Sequence, residues 1–214
     1  MEKWRLRKIG DCFTVDLFDR FSNPHPIMNI SIWNCRGAFK TKFKQMVSDL
    51  VSWHHPTIMV ITETRVGGYK AKKVIKGLPF DGYAVLESIG FAGGIWLLWN
   101  SSMVQVEVLS LMEQEIDVLL QVQSLSFSWI LSDIYASPKF ENMCILWENL
   151  KKVSNHHDLP WILMGDFNEV LDESEKLGGN LLSIRRVREY RECMNYCNML
   201  DLGFSRPKFT WTNK

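Results

Sequence analysis

The stretch PWILMGDFNEVL, residues 160 to 171, carries an acid and an amide out of an apolar run. Pro160 to Met164 read as a buried strand, Gly165 ends it, and Asp166 and Asn168 follow with one residue between them. Three other apolar runs finish in the same way: ISIWNCRG in Asn34, MVITETR in Glu63 and ILSDIYAS in Tyr135. In a layered α/β protein, sites assemble where strand ends converge, and the loops there carry the chemistry. Carboxylate and amide oxygens, with no Cys or His among them, select Mg²⁺, Mn²⁺ or Ca²⁺ over zinc. A cation held by Glu63 and Asn34 would neutralise a phosphate and stabilise a developing oxyanion. Asp166 would take the proton from an attacking water, and Asn168 would orient that water or the phosphate. Tyr135 would donate its phenolic proton to a phosphate oxygen. Each residue alone has a structural explanation: a turn at Asn34, a solvated helix start at Glu63, an outward hydroxyl at Tyr135, an Asx-turn at Asp166 and Asn168. Five together, with no Ser/His/Asp arrangement nearby, favour a site.

The elements that must position these residues follow from hydrophobic periodicity. MNISIWN (28–34) alternates as a strand does. Residues 40–53 place Phe43, Met46, Val47, Leu50 and Val51 on one helical stripe. TIMVIT (57–62) is a continuous β-branched run, as in a central strand, so the regular part of the chain opens as a βαβ-like unit. Five strands are expected next, within 83–88, 93–100, 104–111, 116–123 and 126–135. Gly93 and Gly94 read as a strand bend rather than a phosphate cradle, since no helix start or Lys follows them. Helices are expected over 138–153, with Pro138 at the start, and over 183–200, with Ser183 as N-cap. KFTWTN (208–213) begins another strand. Residues 1–27 lack this regularity and break at Pro-His-Pro (24–26). They read as an appendage on a short linker, either adding an edge strand or lying loose.

A chain of 214 residues, 46% hydrophobic, suits one well-buried domain. With 25 basic and 24 acidic side chains the net charge is +1, so binding to nucleic acid requires a local patch. Two basic groups could track a phosphate backbone: Lys70, Lys72, Lys73 and Lys76, and Arg185, Arg186, Arg188 and Arg191. A solvated helix face is the commoner meaning of such runs. Five cysteines at irregular spacing, without a signal peptide, fit a reduced compartment, and Cys193 and Cys197 read as core packing rather than a metal pair. No apolar run approaches the roughly 20 residues that span a bilayer, so no membrane partner is expected. An intracellular location is expected, nuclear if the substrate is DNA.

WNCRG, ITETR, DIYASP, MGDFNEV and KFTWTN, in that order over residues 28–214, resemble the motifs of the endonuclease/exonuclease/phosphatase superfamily. Their forms are similar to the apurinic-endonuclease-like endonuclease domain of plant LINE-type (non-LTR) retrotransposons. The resemblance implies an α/β fold of two stacked mixed β-sheets flanked by helices, a four-layer sandwich with its site at one end. It implies a Mg²⁺-dependent phosphodiesterase (Mn²⁺ as an alternative metal) with DNA as partner and no small-molecule cofactor. Glu63 would be the direct metal ligand and Asn34 would sit beside it. Tyr135 would contact the scissile phosphate, Asp166 would activate or position the water, and Asn168 would support it. Thr210 and Trp211 would lie near the substrate strand. The reaction would nick one DNA strand and leave a 3′-hydroxyl.

The departure from the family pattern carries its own expectation. Family members continue to a further Asp and close on a Ser-Asp-His motif, and none of the five histidines here (His25, His54, His55, His156, His157) follows a Ser-Asp. By this reading the domain lacks its final strands and is left with an unpaired sheet edge. An inactive remnant of the nuclease therefore stands beside the active enzyme, with a phosphatase of the same superfamily as a third alternative.

Overall fold

In the computed structural model, which describes residues 3–9, 12–18, 28–88, 93–122, 128–171 and 183–201, the apolar runs form two mixed sheets packed face to face. The first contains β1 (Lys3–Ile9), β2 (Cys12–Phe18), β3 (Met28–Asn34), β4 (Ile58–Thr62), β5 (Gly82–Leu86) and β6 (Ile95–Trp99). Their lateral order is β1-β2-β3-β4-β6-β5, and only β3 and β4 run parallel. The second sheet orders β10 (Trp161–Asp166), β9 (Ser128–Tyr135), β8 (Glu115–Val122) and β7 (Val104–Met112) side by side, parallel only between β9 and β10. Helices α1 (Phe43–His54) and α2 (Gly68–Ile75) cover the outer face of the first sheet. Helices α3 (Phe140–His156) and α4 (Ile184–Tyr196) cover that of the second. The expected four-layer α/β sandwich is the one observed.

Burial explains the pattern of each run. β4 up to Ile61 and all of β6 are apolar because both faces are covered. Val60 and Leu97 point between the sheets, while Met59 and Trp96 point at the helices. Each such side chain contributes about 1.5–3 kcal/mol on burial. β3 alternates, yet its polar side chains Asn29 and Ser31 are also buried. Ser31 Oγ lies 3.1 Å from Thr14 Oγ1, and Asn29 Nδ2 donates to the carbonyl of His54 at 2.7 Å. Thr14 belongs to β2, which runs antiparallel along β3 from Cys12 opposite Trp33 to Leu17 opposite Met28. Residues before 28 therefore contribute two strands to the first sheet, and β3 is an interior strand. Among the described residues, β10 pairs on one side only.

Ser183 caps α4 as expected, its hydroxyl accepting from Arg186 N, although the helix ends at Tyr196. Helix α3 runs three residues past its expected end, to His156, and α1 begins at Phe43. Helix α2 was not expected from periodicity. Two glycines precede or open it, and only Ala71 and Ile75 of its eight residues are buried. The expected strand over 208–213 lies outside the described residues.

The two parallel pairs matter most for function. β3 and β4 end in Asn34 and Thr62, and β9 and β10 end in Tyr135 and Asp166. All four leave their polar residues at one mouth of the sandwich.

Candidate active site

The first-sheet wall of the mouth is a backbone ladder that continues past the strands. Cys35 N donates to Thr62 O (3.1 Å), Gly37 N to Glu63 O (2.8 Å) and Ala38 N to Thr64 O (2.8 Å). On the other side, Thr64 N and Arg65 N donate to Gly94 O and Gly93 O at 3.2 and 3.1 Å. The expected bend at Gly93 and Gly94 thus acts as a clamp on the Glu63 segment. Both glycines have positive φ, and a Cβ on Gly93 would sit 3.6 Å from the Tyr135 ring.

Glu63 is held by side chains as well. Asn34 Nδ2 donates to its Oε1 (2.8 Å) and Arg65 to its Oε2 (2.6 Å). Asn34 Oδ1 accepts from Arg36 N at 3.3 Å. Asn34 and Glu63, both expected at the metal, are brought together, with the Arg65 guanidinium and the Arg36 N–H added to them.

The second-sheet wall turns on Gly165. Its φ is +140°, and a Cβ there would lie 1.9 Å from the carbonyl oxygen of Ile134, so only glycine lets β10 approach β9 this closely. Beyond it, Asp166 Oδ1 accepts from Asn168 N (3.1 Å), and Asp166 O accepts from Ala136 N (2.8 Å). Asn168 Nδ2 donates to Ala136 O at 2.6 Å. The residue between the two polar ones, Phe167, turns into the helix layer, its ring 5.5 Å from Tyr190 and 6.5 Å from Trp147. That inward ring is why Asp166 and Asn168 are separated by one position.

Electrostatics join the two walls. Burial, then the charges of Glu63 and Asp166, push the Tyr135 hydroxyl up to about 12, with Arg65 opposing. Burial raises the Asp166 carboxyl; the Asn168 N–H lowers it, Glu63 raises it further and Arg36 opposes. The four motif residues Asn34, Glu63, Tyr135 and Asp166 are thus brought to one mouth, and Asn168 anchors it from below. Arg36, Glu63, Arg65 and Asn168 all hold left-handed φ between 48° and 55°. Each costs of order 1–3 kcal/mol, and such strain concentrates at functional sites.

Two carboxylates that raise the proton affinity of nearby groups, beside an amide, are a partial set of hard oxygen donors. They fit Mg²⁺ or Mn²⁺, which bind through one or two carboxylates and keep several waters. Among the described residues, no group of three or more His, Cys, Asp and Glu side chains forms a closed metal cage. Thr210 and Trp211 lie outside the described residues.

Two sequence expectations are revised. Arg186 is not on a free solvated face: its guanidinium donates to Glu169 Oε2 (2.6 Å) and Asn168 O (3.3 Å), tying α4 to the Asp166 loop, and to Pro138 O (3.1 Å) ahead of α3. Arg191 likewise donates to Leu171 O. The residues missed were Arg36 and Arg65. Both lie inside quoted motifs, two positions after a site residue, and that spacing was the available signal.

Residues 32–213 match the Endonuclease/Exonuclease/phosphatase family, so the chain belongs to it. The family is generally dependent on divalent metals. Among solved structures, the chain is similar to the AP endonuclease LMAP from Leishmania major (16% identity, TM-score 0.57), over 78% of this chain and 66% of that one. It is similar over 78% of its length and 71% of the other to the endonuclease domain of TRAS1, a telomere-specific non-LTR retrotransposon (15% identity, TM-score 0.55). A protein of unknown function from Enterococcus faecalis V583 matches at 19% identity and TM-score 0.50, over 65% of this chain and 66% of that one. These likenesses carry the fold. The chain spans just under two thirds of the Enterococcus and Leishmania proteins, 66% of each. Comparison with curated proteins returns no match.

Proposed function

We propose that this chain is a Mg²⁺-dependent phosphodiesterase that nicks DNA, of the plant LINE-type retrotransposon branch, with Mn²⁺ as an alternative metal. The observation that carries the reading is the meeting of Asn34, Glu63, Tyr135 and Asp166 at one mouth, from the ends of two parallel strand pairs. In this reading residues 28–214 are the catalytic domain and residues 1–27 an addition to its first sheet.

Glu63 and Asn34 hold the cation, which when bound supplies charge neutralisation at the scissile phosphate. The raised proton affinity of Asp166 brings it nearer the working pH and makes it a better general base toward water. The Asn168 N–H fixes the Asp166 carboxyl while its side chain pins the loop to Ala136. Tyr135, held protonated, donates a hydrogen bond to a phosphate oxygen. Arg36 and Arg65 balance the carboxylates before substrate binds, and Thr210 and Trp211 contact the strand being cut. The product keeps a 3′-hydroxyl.

A nicking assay on supercoiled plasmid with Mg²⁺ tests this, comparing the wild type with Asp166→Asn and Glu63→Ala. Nicking by the wild type and its loss in both variants supports the reading. A second reading, an inactive remnant, is favoured by one observation: His54, His55, His156 and His157 all lie at helix ends away from these residues. It prevails if the wild type is inert while a version extended by a Ser-Asp-His segment nicks.

A further inference from the structure

The first-sheet side of the mouth leaves two large aromatic rings in water. Phe39 is 62% exposed and Tyr69 is 81% exposed. Phe39 directly follows Ala38, the last residue strapped to the Glu63 segment, and Tyr69 lies in the first turn of α2, four residues after Arg65. Lys70 Nζ stands 5.9 Å from the centre of the Phe39 ring, which joins the two segments. Arg36 and Arg65, from the same segments, reach the electrostatic range of Asp166 and Glu63.

The charge around these rings is lopsided. Residues 36–76 hold nine Lys or Arg against two acids, Asp49 and Glu63, in a chain whose totals are 25 and 24. Lys42, Lys44, Lys70, Lys72 and Lys73 are exposed. Across from α2, Glu87 is engaged by the backbone N–H of Gly68 at 2.6 Å. This is the local patch that a near-neutral chain needs in order to hold a polyanion.

We propose that this side of the mouth binds a single strand of DNA, with unpaired bases stacking on Phe39 and Tyr69 and phosphates running along the flanking lysines. The inference rests on the proposed nuclease reading and adds that this side of the mouth holds an unpaired stretch beside the cut, such as opens in supercoiled DNA. Aromatic rings in a basic groove gain from the open faces of unpaired bases, whichever base is present, whereas a duplex keeps those faces stacked inside. A sugar phosphate offers neither flat faces nor the length to span both rings and the lysines.

Fluorescence anisotropy with labelled dT12, and with a 12-base-pair duplex, tests this in EDTA so that no strand is cut. The wild type should prefer dT12 by about tenfold. Phe39→Ala with Tyr69→Ala should weaken dT12 by at least about tenfold and leave the duplex nearly unchanged, while Tyr69→Phe keeps the wild-type affinity because the ring, not the hydroxyl, does the stacking. Lys70→Gln should lower the salt dependence by about one phosphate contact. Thermal melting of each variant checks that it is folded, which two exposed rings should not decide. Equal binding of dT12 by the double alanine variant, tighter binding of duplex, or tighter binding of oligoglutamate than of dT12 overturns the inference. The two proposals separate cleanly. Ring-dependent binding without nicking removes the nuclease reading alone, and nicking with ring-independent binding removes this one alone.

Discussion

The mouth of the sandwich and the outer face of its second sheet both gather carboxylates, and they treat them in opposite ways. At the mouth, Glu63 and Asp166 are partly exposed, faced by arginines and met by amide donors from strained loops. Under α3, Glu115 and Asp117 are buried, each with one oxygen lacking a hydrogen-bond partner. Burial, then the Asp117 charge, pushes the Glu115 carboxyl up to about 8, with Asn149 and Lys152 opposing. Asp117 borders a cavity of about 240 Å³ walled by Leu109, Ile130 and Val153. Asp133, between the sheets, is wholly buried and its carboxyl is pushed well above the ordinary range. The difference teaches that proximity of acids does not define a site. Partial exposure, opposing cations and strained backbone distinguish a carboxylate kept ready to work from one neutralised by burial.

The sharpest break of this comparison is a matched pair of variants. Asp166→Asn should slow plasmid nicking by roughly 10²–10⁴, the usual range for a general base, with little change in melting temperature. Asp117→Asn should leave the nicking rate within about twofold. Comparable losses from both would erase the distinction.

Gly165→Ala probes the mouth's architecture. The added methyl meets Ile134 O in a backbone conformation that L-residues disfavour, so urea unfolding should register a loss of roughly 2–5 kcal/mol. A loss below about 1 kcal/mol would mean that the β9–β10 approach is looser than described.

Arg186→Ala removes two hydrogen bonds that tie α4 to the Asp166 loop and a third to Pro138 O ahead of α3. It should cost about 2 kcal/mol of stability and reduce nicking while leaving dT12 affinity unchanged. A selective loss of dT12 affinity would instead return Arg186 to a phosphate-binding role.

The remaining test concerns pH dependence. The folded pKa of Glu115 lies above its unfolded value of 4.5, so the native state binds more protons between there and about 8. Its contribution is fully present below pH 4.5 and is lost as pH rises toward 8. Urea midpoints should fall across that window, and Glu115→Gln should flatten the fall. An unchanged slope in the variant would place Glu115 in a wetter setting.

Much of this molecule was legible in local pattern. The apolar runs of β4 and β6 and the stripe of α1 marked their elements to within a few residues, because both-sided burial and helical periodicity write themselves into consecutive positions. Helix α2 escaped because a glycine-led, lysine-rich segment with two buried positions carries almost no period. Strands β1 and β2, read as an irregular appendage adding at most an edge strand, escaped for another reason: their mixed charge hides the alternation, and nothing local says which neighbour they take. At the site, the acid and amide types were readable, whereas the arginines beside them looked like ordinary surface charge.

By itself, the sequence determined most strands and helices from Met28 onward, the five spaced motifs and hence the family, since these depend on residues near one another along the chain. Only the tertiary structure decided which acids face a common mouth, which are entombed under α3, which arginines are counter-charges and which is a staple. Coulomb energy and desolvation depend on distances through space and on the water each group keeps, and residues 36, 63, 135 and 166 acquire both only when the two sheets close on each other.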